Sequence, residues 1–165
     1  VFSINLPVCL MSSAQVSSEQ DRLYLALSSA GMGTWDWDLP ADSMSWDERM
    51  HALFGLPPKT FDGCYEGFLS SIHEADRQRM REEFPGAIST RSTVDTEFRI
   101  IWPSDGSEHT LRIRSTVHGE LTAKIERIVG VAWDITERRE TECALEKERN
   151  LLTTLMENLP QRFYF

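Results

Sequence analysis

The sequence predicts an α+β domain: a five-stranded antiparallel sheet with short helices on one face. Two observations carry that expectation. Residues 34–39, TWDWDL, alternate strictly, with Trp35, Trp37 and Leu39 on one side and Thr34, Asp36 and Asp38 on the other. Residues 93–135 then hold three more period-two segments joined by short links, the pattern of an antiparallel meander. Short segments with helical spacing lie between these groups.

Residues 1–17 have no clear period and read as a loose leader. Ser17 and Gln20 match a capping box for a flanking helix over 18–31, in which Leu23, Leu27 and Ala30 share a face and Gly31 ends the run. After the first strand, PAD supplies a turn and SMSW (43–46) returns as the second. DERMHALFGL (47–56) sets Met50, Leu53 and Phe54 on one helix side. YEGFLSSIH (65–73) turns Phe68, Leu69 and Ile72 inward. EADRQRMREEF (74–84) is polar apart from Met80 and Phe84, and Pro85 is expected to end or kink it.

TVDTEFRIIW (93–102) sets Val94, Thr96, Phe98, Ile100 and Trp102 on one face, and PSDG (103–106) is a turn. HTLRIRSTV (109–117) places Leu111, Ile113 and Val117 inward, with Arg112 and Arg114 opposite. IERIVGVAWDI (125–135) is the last strand, with Val131, Trp133 and Ile135 as its apolar phase, and the core domain closes at 136. Arg99, Arg112 and Arg114 fall away from the core and are expected to pair with Asp95 or Glu97. Residues 137–159 form a linker helix in which Leu145, Leu152 and Leu159 stand seven apart and Leu155 lies three beyond Leu152. This imperfect heptad favours a weak coiled coil in a homodimer over a helix folded back on its own domain.

VAWDITERRE (131–140) runs from strand to charged helix with no Gly or Pro. Thr136 can cap the helix through its hydroxyl, and Glu137 suits the positive end of the helix dipole. Asp134 can hold the strand end to a donor, Arg138 or an arginine on the neighbouring strand. A stiff joint passes on strain that a flexible hinge would lose, and with the resemblance described next this makes Asp134, Thr136 and Glu137 the expected relay residues.

The segments GTWDWDL, LFGLPP, FLSSIHEADR, EFRIIWPSDGSEHTLRIR and GVAWDITERRE, in that order, resemble a PAS domain with its PAC segment. The likeness covers residues 20–137 and is nearest the PAS fold-3-like subfamily of bacterial sensor histidine kinases and diguanylate cyclases. It implies a sensory or relay module with no catalysis of its own. It also implies a downstream effector domain and a homodimer built through the flanking helices. Two departures stand out: HEADR (73–77) replaces the usual HPEDR, and Pro85 interrupts the helix that often borders a ligand. ENLPQRFYF, at the end, is similar to the opening of another PAS domain, so 160–165 reads as a second domain cut short.

Trp35, Trp37, Phe54, Phe68, Ile72, Phe98, Ile100, Leu111, Ile113 and Val131 are the expected lining between sheet and helices. They support two readings: a filled core with no cofactor, which is preferred, or a site for a small ligand or FAD. Haem fits poorly, because 74–84 has no His and only His51 and His73 remain nearby. Cys64 lacks the surrounding motif of a flavin photoadduct. No GxSxG, HExxH, P-loop or GxGxxG occurs, and Asp36 and Asp38 read as a solvated strand face.

Composition agrees. The chain has 165 residues, 41% of them hydrophobic, including five Trp, enough for one core with extensions. A formal net charge of −9 argues against a general nucleic-acid binder. Cys9, Cys64 and Cys143 have no zinc-type spacing and read as unpaired thiols in a reducing compartment. No apolar run reaches the ~20 residues of a membrane span, and VFSINLPVCLMSS lacks the basic start of a secretory signal. The expected location is the cytoplasm. A start at Val fits a piece of a longer protein, and any membrane anchor of that parent would lie elsewhere.

Overall fold

A computed structural model describes residues 13–118 and 127–158. Ten elements follow in order: α1 Ser13–Ser29, β1 Gly33–Asp38, β2 Ser43–Trp46, α2 Glu48–Leu53, α3 Tyr65–Ser70, α4 Glu74–Thr90, β3 Val94–Ile101, β4 Glu108–His118, β5 Arg127–Asp134 and α5 Thr136–Asn158. The strands form one antiparallel sheet in the order β2-β1-β5-β4-β3. The last strand therefore runs through the middle, between the hairpin and the meander.

One face of the sheet is covered by α2, α3 and α4. Trp35, Trp37, Phe98, Leu111 and Ile113 from the strands meet Met50, Leu53, Phe68, Leu69, Met80 and Phe84 from the helices. Each such side chain contributes about 1.5–3 kcal/mol by leaving water. The aromatic rings interlock largely edge to face, Phe84 against Trp35, Trp37 and Phe68.

Each short helix is started by a local device. Asp47 caps α2, its carboxylate accepting from the Met50 N–H at 2.7 Å and from the Thr34 N–H and hydroxyl of β1. The Cys64 sulfur accepts from the Gly67 N–H at the start of α3. His73 caps α4 through Nδ1, which accepts from the Ala75 N–H. Gly55 ends α2 with a φ of +64°, and a Cβ there would fall 2.7 Å from the Trp102 ring.

The element order and the two-period pattern match the sequence expectation, but three details differ. First, α1 begins at Ser13, so Ser17 lies inside the helix rather than at its cap. The boundary drawn at residue 17 therefore moves, and residues 1–12 lie outside the described part. Leu23, Tyr24 and Leu25 stay exposed, and Leu27 is half-buried. Second, α4 runs through Pro85 to Thr90. Phe84 and Ala87 are buried on either side of an exposed Pro85, so core contacts hold both halves and water can serve the carbonyl left without a donor.

Third, β5 presents Ile128, Gly130 and Ala132 to the core, whereas Val131 and Trp133 lie half-buried on the opposite face. Val131 is thus not a core or pocket residue. The reason is space. Gly130 pairs with Trp35, and a Cβ on it would sit 2.7 Å from both Trp35 ring carbons Cε2 and Cζ2 and from the Arg114 carbonyl oxygen. The Trp35 ring leaves no room for a side chain at position 130 of the central strand. Trp133 on the far face lies 5.9 Å from the Arg112 guanidinium, in cation–π reach.

Gly130→Ala is therefore expected to cost about 1–3 kcal/mol by overpacking. Urea denaturation of the variant should show a lower midpoint; an unchanged midpoint would mean that Trp35 does not occupy that space.

Candidate functional site

The joint between β5 and α5 is where the fold becomes a projecting helix. Its geometry begins with the β4–β5 ladder, whose register pairs Leu111 with Asp134. The ladder runs one step further, since the Ile135 N–H donates to the Thr110 carbonyl at 2.9 Å. Ile135 is only 6% exposed and anchors the step in the core. The Thr110 N–H donates to the Thr136 hydroxyl oxygen at 2.9 Å, so both backbone groups of Thr110 are spent on the joint.

Asp134 closes the arrangement. Its Oδ1 accepts from the Thr136 N–H at 2.7 Å and from the Thr136 hydroxyl at 2.5 Å. Its Oδ2 faces His109 Nδ1 at 3.0 Å. The first helical bond of α5 runs from the Arg139 N–H to the Ile135 carbonyl at 2.9 Å. The cap is therefore the Asp134 carboxylate. The Thr136 hydroxyl instead ties the helix start sideways to β4. Asp134's partner is His109, not Arg138, which pairs with Glu142 at 2.8 Å, nor an arginine of the next strand. Glu137 is exposed in the first turn, where its charge suits the helix dipole.

A charge network on the outer sheet face backs this cap. Glu97 of β3 accepts from Arg139 of α5, with Nε at 2.9 Å, and lies 3.5 Å from Arg112 of β4. Arg112 also holds Asp95 at 2.8 Å, and Arg114 reaches the same carboxylate at 3.8 Å. Arg112 and Arg114 thus have the expected partners. Arg99 differs: its side chain and backbone N–H both bond Asp76 in the first turn of α4. Partial burial pushes the Asp134 carboxyl up, but the bonds from Thr136 and His109 outweigh it and hold it below the usual carboxylate range. Asp76 is held low in the same way, by Arg99 against its own burial.

The other expected site lies in the core. Trp35, Trp37, Phe54, Phe68, Ile72, Phe98, Ile100, Leu111 and Ile113 join one buried cluster. The space among Trp35, Met44, Trp46, Met50, Phe68 and Phe84 admits no water-sized sphere. That part of the cluster is closely packed, whereas Phe54 and Ile72 also border a cavity of about 400 Å³ with Leu56, Ser70, His73 and Arg77. His51 is buried with Nδ1 2.8 Å from the Asp47 carbonyl, and His73 is a helix cap, so neither ring nitrogen Nδ1 is free for a ligand. Asp36 pairs with Arg127 across the strands, and Asp38 accepts from the Ala41 N–H within its turn. Among the described residues no three His, Cys, Asp or Glu gather as metal ligands.

Beyond its first residues α5 leaves the domain. Glu137 to Glu157 are all exposed, including Leu145, Leu151, Leu152, Leu155 and Met156. The helix does not fold back on its own sheet. Leu159 and the suggested opening of a second domain at 160–165 lie outside the described residues.

The arrangement has known parallels. The family model described as PAS fold matches residues 43–132, more than half the chain. This chain belongs to the PAS fold family. Among curated relatives it is 28% identical over 151 residues to the probable diguanylate cyclase DgcE of Escherichia coli strain K12, covering 91% of this chain and 13% of that one. It is 25% identical over 130 residues to the sensor protein FixL of Bradyrhizobium diazoefficiens, covering 79% and 25%. The PAS chain thus spans a quarter or less of the curated relatives named here. Among solved structures, a sensory box histidine kinase/response regulator from Burkholderia thailandensis superposes with a TM-score of 0.68 at 27% identity, covering 81% of this chain and 98% of that one. The N-terminal domain of a diguanylate cyclase with PAS/PAC sensor from Marinobacter aquaeolei shares the fold, with a TM-score of 0.60 at 16% identity, covering 66% and 98%.

Asp134, Thr136 and Glu137, named from the sequence, meet at this joint; His109 and Arg139 were not named, and Glu97 was named only as a partner for the strand arginines. His109 lies 25 positions before Asp134, and only the strand register brings them together.

A depressed carboxyl adds stability that is complete above the ordinary carboxylate range near pH 4 and is lost as pH falls through its folded value. Asp134→Asn removes that contribution. Urea midpoints between pH 7 and pH 3 should fall less steeply below about pH 4 for this variant than for the parent chain. Parallel curves would show that Asp134 is not held in its charged form.

Proposed function

We propose that this chain is a sensory and relay module of a larger bacterial signalling protein. A change in the core or at a dimer face passes through β5 and the Asp134–Thr136 joint to α5, and α5 carries it to an effector domain. The observation that carries this reading is the joint itself. A helix exposed from residue 137 onward is bound to the sheet by Asp134, Thr136, Ile135 and the Glu97–Arg139 pair. A movement of β5 relative to β4 must therefore move the helix start.

Similarity to a probable diguanylate cyclase and to a sensory box histidine kinase/response regulator supports an effector of either kind, cyclase or histidine kinase. The chain itself transmits rather than catalyses. Leu145, Leu152 and Leu155 lie on a seam of heptad spacing, with Leu151 and Met156 flanking it, and we assign that stripe to a parallel coiled coil in a homodimer. Such seams supply the two arrangements of similar energy that a switch needs. The location that suits this role is the cytoplasm. No helix of the described residues is long and apolar enough to cross a membrane.

A second reading has a specific support. The close packing around Trp35, Trp46 and Phe84 favours a module that dimerises and spaces its neighbours without holding a ligand. The two readings part at the joint, because a spacer does not need it. In the parent protein, Asp134→Ala and Thr136→Ala should leave abundance near normal and abolish the response of output to stimulus. Normal signalling at equal abundance would favour the spacer. Leu152→Glu should convert the isolated chain to a monomer in sedimentation; an unchanged mass would remove the coiled-coil seam from the account.

A further inference from the structure

We propose that the core takes a small, neutral aromatic molecule with a carbonyl-type oxygen, and that the indole N–H groups of Trp35 and Trp46 recognise that oxygen. This rests on the sensory reading and deepens it, by naming the class of molecule that acts on the core.

The observation is a row of polar groups without partners. Among the described residues, three buried side-chain atoms have no hydrogen-bond partner: Trp35 Nε1, Trp46 Nε1 and Ser115 Oγ. These residues are only 4%, 8% and 2% exposed. The strand register places all three in one row across the sheet. Trp46 of β2 faces Trp35 of β1, Trp35 faces Gly130 of β5, and Gly130 faces Ser115 of β4. The Trp35 ring lies over Gly130, so Cε2, the carbon bonded to Nε1, sits above β5. A buried donor without an acceptor costs free energy, and here that cost is concentrated in one row.

Nothing in the packed core meets the need of the two indoles. The space they share with Met44, Met50, Phe68 and Phe84 admits no water-sized sphere, and none of those four side chains carries an oxygen or nitrogen. Phe84 stands edge to face with Trp35 at 6.0 Å, and a ring face is at best a weak acceptor.

The lining sets the chemistry of the occupant. An indole N–H only donates, so the occupant must accept. No Asp, Glu, Lys or Arg is among the buried described residues, so a charged group would enter without a counter-charge. The walls are largely rings, against which a flat aromatic body packs. Room comes from side chains that turn. Met44 and Met50 are unbranched and adaptable. Phe54, at the end of α2, packs on Trp46 with ring centroids 4.4 Å apart and also borders the cavity of about 400 Å³. Turning that ring opens the core toward the cavity.

The test follows the indole N–H resonances of the full 165-residue chain, in proton–nitrogen correlation spectra, during titration with fluorenone and with fluorene. The two probes have the same flat rings and differ by the carbonyl oxygen. Fluorenone should move the resonance of Trp35, Trp46 or both downfield, by more than those of Trp102 and Trp133. It should also bind about tenfold or more tightly than fluorene, the worth of a hydrogen bond to a donor otherwise left bare. Indanone and indane, a smaller pair with the same difference, repeat the comparison. In Trp46→Phe the advantage of ketone over hydrocarbon should fall by about threefold or more; if that variant does not fold, the shifts in the unmodified chain decide. Ketones that leave both indole resonances unmoved, or that bind no better than the hydrocarbons, overturn the proposal. That failure would leave the relay reading with a dimer face as its input. Normal output in Asp134→Ala would instead remove the relay and leave the binding site standing, so the two failures are distinct.

Discussion

Asp134 stands where a hydrogen-bonded ladder gives way to a helix that leaves the domain, and both sides of that change have unmet needs. The first turn of a helix has N–H groups without partners, and the end of a strand has a backbone with no further ladder. One carboxylate serves both sides. Its Oδ1 takes the Thr136 N–H and hydroxyl, and its Oδ2 takes His109 of the neighbouring strand. Thr136 passes the connection on to Thr110. The start of α5 is consequently part of the β4–β5 ladder rather than an appendage to it.

The remaining structure positions this clamp. β5 is central in the sheet, between the hairpin and the meander, so it is paired along both edges. At the middle of its core face Gly130 leaves the room that the Trp35 ring fills. A change in ring packing has little free space into which to relax. β5 is the strand beneath those rings, and it ends at Asp134. The Glu97–Arg139 pair adds a second hold from the outer face, but it is exposed and worth far less than the ladder.

How much of this the sequence made legible depends on the strand. On β1 and β3 one face is apolar and the other polar, so period two identified Trp35, Trp37, Phe98 and Ile100 directly. On β5 both faces are apolar, and the larger residues, Val131 and Trp133, drew the reading to the wrong side. Their burial comes from the outer face and its charged cover, a feature of tertiary packing with no local pattern. Pro85 misled for a similar reason: Phe84 and Ala87 hold α4 together through core contacts that no propensity encodes. At the joint, capping chemistry is local, so the positions Asp134 and Thr136 could be named, but the cap is the Asp134 carboxylate and the Thr136 hydroxyl reaches β4 instead. His109 was not, because it reaches Asp134 only through register, and a lone histidine in a strand carries no signature of its own.

The central claim is that β5 and the first turn of α5 move as one unit. Native-state hydrogen exchange at fixed pH tests it most directly, by comparing the amides of Ile128–Asp134 with those of Thr136–Arg139. The account predicts that both groups open together, with closely similar opening free energies and the same denaturant dependence, while the helix beyond residue 145 opens far more easily. A first turn that exchanges as freely as the distal helix, with β5 still protected, would contradict it.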